Sequence, residues 1–484
     1  MAKLHPSLLN KEFWYQDILL VCNNLPDFER DQIDLTTQFS KNIILKTPFV
    51  SSPMDTVTGA KMAILMALMG GIGVIHYNYG TIEEQIDQVE KVKRFEAAFV
   101  RQPVVLGPSN TVGDVYSIAQ KYGFYSFPIT QDGTLKTKLV GVVTHRDVRY
   151  KEKEAEMKTP LIKIMTPREK LITASKKTTL DKGNIKAANK IIRKYNLDTL
   201  PIVDDEFKLV AIVTDSDLRK NEMYPLATKD ENKQLRVLIA VESRLSLAQE
   251  RIKKGIEKGI DGIVIDASVV FKEQIEIARF IKKNFPKLEV ILGNVDSGKM
   301  VDNIAKEAGE CVDGLRVGIG PGAACITQEY LGVGRAQGSA VWECSQTAKK
   351  YKIPIVADGG IKSPSDITKA LAMGAQTVMM GSLLAGLEES PGDEEFDEEL
   401  GYLVKKYRGM GSAEAMEKRG AFRYGIDKMV IKIPEGKVFK VGYKGSGYKY
   451  IPKLIAAVKQ GMQKLNCKDI QTLQKMAEIN PSHL

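Results

Sequence analysis

Chemistry concentrates in one stretch, Gly318 to Gln337, which reads GIGPGAACITQEYLGVGRAQ. Glycines alternate at 318, 320 and 322, and a lone cysteine, Cys325, precedes Thr327 by two residues. Glycine lets the main chain take positive φ and lets a ligand or ion approach it closely. A cysteine on such a loop sits among backbone N–H groups, a setting that favours a nucleophile. Its sulfur can add to an electron-poor carbon, and Thr327 can donate to, or accept from, an entering or leaving group. Asp358, followed by two glycines, can accept both hydroxyls of a ribose. Gly360, Gly381 and Ser382 offer N–H and O–H donors of the kind that hold a phosphate.

The elements around these residues alternate. Short apolar strands are predicted over 43–50 and 71–76, with helices over 59–69 and 81–99. Six more strands follow at 237–241, 262–266, 290–294, 314–317, 354–358 and 377–380, separated by amphipathic stretches such as 272–284 and 365–373. Two plus six make eight, the signature of an α/β (β/α)8 TIM barrel. The chemistry-bearing residues fall at strand C-termini: Ser52 and Met54, Asp266, Asn294, Cys325, Asp358, Gly381 and Ser382. In such barrels that is the face where active sites form. Between the second and third strands lies an internal repeat. Phe127-Pro128-Ile129-Thr130 is echoed by Leu200-Pro201-Ile202-Val203, and 139–147 by 209–217. The expected division is therefore 1–101 for the first part of the barrel, 102–223 for an inserted domain and 224–484 for the rest. Residues 388–399 are acidic and expected to be exposed. The Gly-, Lys- and aromatic-rich stretch 406–447 reads as a mobile flap over the barrel mouth, and 450–465 as a final helix.

Composition narrows the function classes. At 484 residues the chain is long enough for two or three domains. The net charge of +10 is spread over helices rather than gathered in a block, which speaks against nucleic acid and suits an anionic nucleotide. Five cysteines without CxxC or Cys/His spacing imply a reducing compartment and no disulfide framework. No apolar run reaches the length of a membrane span. A cytoplasmic protein is expected, or a peroxisomal or glycosomal one if Ser482-His483-Leu484 is read as a variant of the Ser-Lys-Leu address.

Five motifs in order carry a family resemblance: Ser51-Ser52-Pro53-Met54-Asp55, the 318–337 loop, Ala357-Asp358-Gly359-Gly360-Ile361, Met379-Met380-Gly381-Ser382 and Lys406-Tyr407-Arg408-Gly409-Met410-Gly411-Ser412. Together they resemble IMP dehydrogenase and its sister enzyme GMP reductase. The resemblance implies a covalent purine adduct at Cys325, formed at C2 of IMP as a hydride passes to NAD. Hydrolysis to XMP then uses Arg423 and Tyr424 on the flap. It implies that Ser52, Met54, Asn294, Asp358, Gly360, Gly381, Ser382, Tyr407, Met410, Gly411 and Glu435 meet the nucleotide. Asp266, Ser268, Gly318 and Gly320 are implied to meet the dinucleotide. Potassium would be held by backbone carbonyls of Gly320, Gly322 and Cys325, although the family's C-terminal Glu-Gly-Gly segment has no match before Leu484. The inserted repeat resembles a tandem cystathionine-β-synthase-type (CBS) pair. Such pairs bind adenine or guanine nucleotides, here through Thr144 and Asp147 and through Thr214 and Asp217. The family expectation is a homotetramer that can stack into an octamer.

Several positions depart from the dehydrogenase pattern. Ala323 stands where a serine is usual, Asp266-Ala267-Ser268-Val269-Val270 differs from the usual segment, and no glycine follows three residues after Gly436. These departures keep two alternatives open. One is a GMP reductase that makes IMP and ammonia with NADPH. The other is a catalytically inactive, CBS-based nucleotide sensor.

Overall fold

The computed structural model describes residues 2–95, 100, 103–151, 153–180, 185–214, 223–417 and 433–482. Eight strands form a closed parallel barrel: β1 Phe49–Ser51, β2 Ile72–Ile75, β3 Val237–Val241, β4 Gly262–Asp266, β5 Glu289–Val295, β6 Gly314–Val317, β7 Ile355–Asp358 and β8 Thr377–Met380. β8 pairs with β1, and β2 with β3, so the ring closes across the insertion. These strands are runs of buried residues, as expected where helices cover one face and the barrel core fills the other. Residues two apart share a face: Ile72 with Val74, and Leu238 with Ala240, point into one core that also takes Val50, Val264, Ile291, Val356 and Met379.

The covering helices are α1 Ala60–Leu68, α2 Ile82–Arg94, α3 Leu245–Glu257, α4 Lys272–Asn284, α5 Gly298–Ala308, α6 Gln337–Lys350 and α7 Pro364–Ala372. Their starts are locally encoded. Ser297 caps α5 by accepting from the Met300 N–H, and Ser363 caps α7 with Pro364 behind it. The single strand expected over 43–50 is two. Ile44–Leu45 pairs antiparallel with Thr37–Gln38, while Phe49–Ser51 enters the barrel. The break comes at Lys46-Thr47-Pro48: both N–H groups of Lys46 and Thr47 donate to the Gly70 carbonyl, and Pro48 has none to offer a ladder.

The chain divides into two compact units, 1–93 with 226–228 and 235–484, and 94–225 with 229–234. The second unit carries the repeat as two small cores. One is built on the antiparallel pair Phe127–Thr130 and Leu139–Val143 with helix Val112–Tyr122. The other is built on Thr199–Val203 and Leu209–Thr214 with helix Ile185–Tyr195.

The stretch expected as a loose flap is partly sheet. Glu394–Asp397, Tyr402–Arg408 and Val438–Gly442 form three antiparallel strands, so residues flanking the flap are tied by ladder hydrogen bonds. A helix at Gly447–Lys464 follows, then a short one at Ile470–Met476. Strand Glu478–Pro481 lies between Lys3–Leu4 and Ile18–Leu20. Ser482 donates to carbonyls of Gln16 and Asp17, and His483 and Leu484 lie outside the described residues. No described helix is long and apolar enough to cross a membrane.

Candidate active site

The loop after β6 is held by side-chain amides at both ends. Gln337 donates to the carbonyls of Val317 and Asp358, and Gln328 to those of Ile319 and Arg335. Gly318 has φ +142°, and a Cβ there would stand 2.1 Å from the Asp358 carbonyl oxygen. Only glycine allows β6 and β7 to deliver their loops so close together.

On this loop Cys325 is half-buried and Thr327 buried. The Cys325 Sγ lies 3.1 Å from Thr327 Oγ1, and Thr327 Oγ1 donates to Glu435 Oε2 at 2.6 Å. Backbone bonds hold the Glu435 segment in place. Ile326 N–H donates to the Glu435 carbonyl, Glu435 N–H to that of Gly411, and Lys437 N–H to that of Ala324. Sulfur, hydroxyl and carboxylate thus form one file, brought together from two loops more than a hundred residues apart.

One cavity is lined by Ser52, Met54, Ser268, Asn294, Arg316, Gly318, Gly320, Gly322, Cys325, Thr327, Asp358, Tyr407, Met410, Gly411 and Glu435. An adjoining cleft shares Ser52, Met54, Asp358 and Tyr407 and adds Ala323, Gly360, Gly381 and Ser382. The Tyr407 hydroxyl reaches the Met54 sulfur at 3.6 Å. Burial first, and then the charges of Asp358 and Cys325, push the Tyr407 hydroxyl well above its ordinary pKa, so it stays a proton donor.

Most residues expected at the site are brought together there. Asp266 is not on that wall: its side chain is fully buried and stands behind Arg316. The physical reason is that a carboxylate sealed from water needs a cation, and Arg316 supplies it. Arg423, Tyr424 and Asp217 lie outside the described residues. In the inserted unit Thr144 and Asp147 are partners, the Asp147 carboxylate accepting from both the Thr144 N–H and O–H at 2.7 and 2.9 Å. They line a cavity with Arg146, Lys170 and Asp198. Thr214 ends a strand in the same unit.

Two features escaped the reading by residue type. Arg316 is 1% exposed and donates to Asp266 and to Asp358, each at 2.6 Å. A charge in the apolar run Gly314–Val317 was its signal. Arg408, at the end of the strand Tyr402–Arg408, donates to Asp55 on the loop after β1 at 2.6 Å and to Glu414 at 2.8 Å. Among the described residues no cluster of His, Cys, Asp and Glu could hold a metal ion.

Residues 12–482 match the model of the IMP dehydrogenase / GMP reductase domain. The chain belongs to the IMP dehydrogenase / GMP reductase family. Inosine-5′-monophosphate dehydrogenase of Schizosaccharomyces pombe is 41% identical over 472 residues, covering 96% of this chain and 87% of that protein. The Aquifex aeolicus dehydrogenase is 40% identical over 470 residues, 96% of this chain and 92% of its own. Among solved structures, a cysteine-to-alanine variant of GMP reductase from Trypanosoma brucei, in complex with guanosine 5′-monophosphate, superposes with a TM-score of 0.87 at 28% identity. It covers 98% of this chain and 96% of that one. Both branches of the family are therefore represented among its relatives.

Proposed function

We propose that this protein oxidises IMP to XMP with NAD in guanine nucleotide biosynthesis. The observation that carries the reading is the file Cys325, Thr327, Glu435 on the wall of a cavity that also presents Asp358. The identity of about 40% to dehydrogenases over nearly the whole chain supports it.

In this reading the Cys325 sulfur adds to C2 of the purine, and the C2–H bond breaks with its electron pair leaving as hydride. Bound NAD supplies the acceptor for that hydride. Water then displaces the sulfur and loses a proton, which returns the thiol and releases XMP. Asp358 takes the ribose hydroxyls. Ser52, Gly360, Gly381, Ser382 and Tyr407 serve the phosphate, and Met54, Met410 and Gly411 flank the base. Glu435 meets the N1 edge. Ser268, Gly318 and Gly320 fit the dinucleotide because they line the same cavity beside Cys325, whereas Asp266 can reach it only through movement of Arg316. Arg423 and Tyr424 serve the attacking water. A potassium ion on the carbonyls of Gly320, Gly322 and Cys325 would share the Gly322 oxygen with the Cys325 N–H that it already accepts. The inserted unit is read as a CBS pair that binds adenine or guanine nucleotides at the Thr144–Asp147 cavity, in a homotetramer able to stack into an octamer.

A second reading, reduction of GMP to IMP and ammonia with NADPH, is favoured by Phe439 in place of a glycine three residues after Gly436 and by the likeness to the reductase structure. Absorbance at 340 nm separates the two: IMP with NAD is expected to raise it, and a fall with GMP and NADPH alone overturns the first reading. The Arg423→Ala variant sharpens the test. In a dehydrogenase it gives a burst of NADH followed by a steady rate slowed about 10²–10⁴-fold, whereas in a reductase GMP turnover is nearly untouched.

A further inference from the structure

Asp266, Gly293 and Arg316 form one rung across three strands. Asp266 of β4 registers with Gly293 of β5, and Gly293 with Arg316 of β6. A Cβ at Gly293 would lie 2.5 Å from the Arg316 Cβ, so the bare glycine is what lets the arginine cross β5 and reach Asp266. The other end of the same guanidinium reaches Asp358 at the end of β7. Asn294 donates to Asp358 as well, and both donors take the same oxygen, Oδ2, at 2.6 and 2.9 Å. That leaves Oδ1 for the hydroxyls of a ligand. A guanidinium is planar and rigid, with donors fixed in a fork. Buried between two carboxylates, it cannot follow one without altering its bond to the other.

We propose that Arg316 is a positioning residue that couples the nucleotide end of the site, at Asp358, to the dinucleotide end, at the 266–268 segment. The proposal rests on the reading above that these two ends take a purine nucleotide and a nicotinamide dinucleotide. When ribose hydroxyls engage Oδ1 of Asp358, the carboxylate is fixed, the guanidinium is held against it, and Asp266 is held in turn. Ser268, two residues on, then faces the cavity from a fixed turn. Nucleotide binding therefore tightens dinucleotide binding, and by linkage the reverse holds by the same factor.

The test is calorimetric titration of NAD into the full chain, with and without saturating XMP, a pair that carries no hydride to transfer. The parent should bind NAD about 5–150-fold more tightly with XMP present. In Arg316→Lys, whose single ammonium cannot bridge both carboxylates in the same geometry, that factor should fall towards one, a loss of coupling over and above any weakening of either ligand bound alone. Asp266→Asn, which keeps the side-chain size, should give the same collapse if the lysine variant does not fold. An unchanged coupling factor in either folded variant, parallel loss of both separate affinities with coupling intact, or absence of coupling in the parent overturns the proposal. If the parent binds neither XMP nor NAD yet GMP and NADP⁺ show the coupling and its loss, the dehydrogenase reading fails and the role of Arg316 stands.

Discussion

Thr327 donates a 2.6 Å hydrogen bond to Glu435, 108 positions further along the chain, while its oxygen stands 3.1 Å from the Cys325 sulfur. With its proton directed at a carboxylate, the hydroxyl turns its lone pairs toward the sulfur and whatever is attached to it. Thr327→Ala removes both contacts at once. It should lower kcat by about 10²-fold or more and leave KM for the nucleotide nearly unchanged. Glu435→Gln keeps an acceptor for the hydroxyl and should fall between parent and Thr327→Ala in steady-state kinetics. Equal kcat in all three proteins would remove Glu435 and Thr327 from the chemistry.

Cys325→Ala should abolish the covalent purine adduct seen by intact-protein mass spectrometry, because no other cysteine lines the cavity. Nucleotide binding by calorimetry should survive, since Asp358, Asn294 and the cleft at Gly381 are untouched. Activity within about tenfold of the parent, less than even one positioned acid–base group contributes, would sink the nucleophile assignment.

The Asp55–Arg408 pair ties the strand Tyr402–Arg408 to the barrel. Burial pushes the Asp55 carboxyl up, but the Arg408 hydrogen bonds and charge outweigh it and hold the group below its ordinary value. A carboxyl depressed in the folded state contributes stability above its unfolded pKa of about 3.9, and that contribution is lost as pH falls through the lower folded value. Asp55→Asn should cost about 2–3 kcal/mol, less than a wholly buried pair because Arg408 keeps a solvent edge. Thermal melts should show a constant difference from the parent between about pH 5 and 8, shrinking below about pH 4. A difference that grows on acidification would contradict this.

Asp261 joins the two places where the barrel gives way to the inserted unit. Its carboxylate accepts from Lys93 at 2.7 Å, from Arg236 at 2.9 Å and from the Val237 N–H at 2.9 Å. Two cations on one carboxylate put the points of departure and return side by side. Replacing residues 94–225 by a short Gly/Ser linker, which leaves 226–228 with the barrel, should therefore give a folded barrel that keeps its turnover. Any effect of ATP or GTP on the rate should vanish with the insertion. Regulation that persists in the shortened protein would place the effector site in the barrel.

The barrel strands were legible because each is an apolar run bounded by polar or glycine residues, and burial on both faces demands that composition. Cys325, Thr327, Asp358 and Gly381 were legible because motif spacing in a loop survives translation into space. The split of residues 43–50 was not, since it depends on a carbonyl at Gly70 that competes for two N–H groups. The sheet at the flap's base was not either, because residues 409–437 separate Tyr402–Arg408 from Val438–Gly442, which pair only through the fold. Asp266 reads as a surface ligand by its place at a strand end. Its burial behind Arg316 follows from the register of β4, β5 and β6, in which Gly293 leaves room for one side chain to cross a strand. Local composition thus encodes which residues stand at the barrel mouth. Which of them touch each other is set by strand register and close approach, and these exist only once the ring has closed.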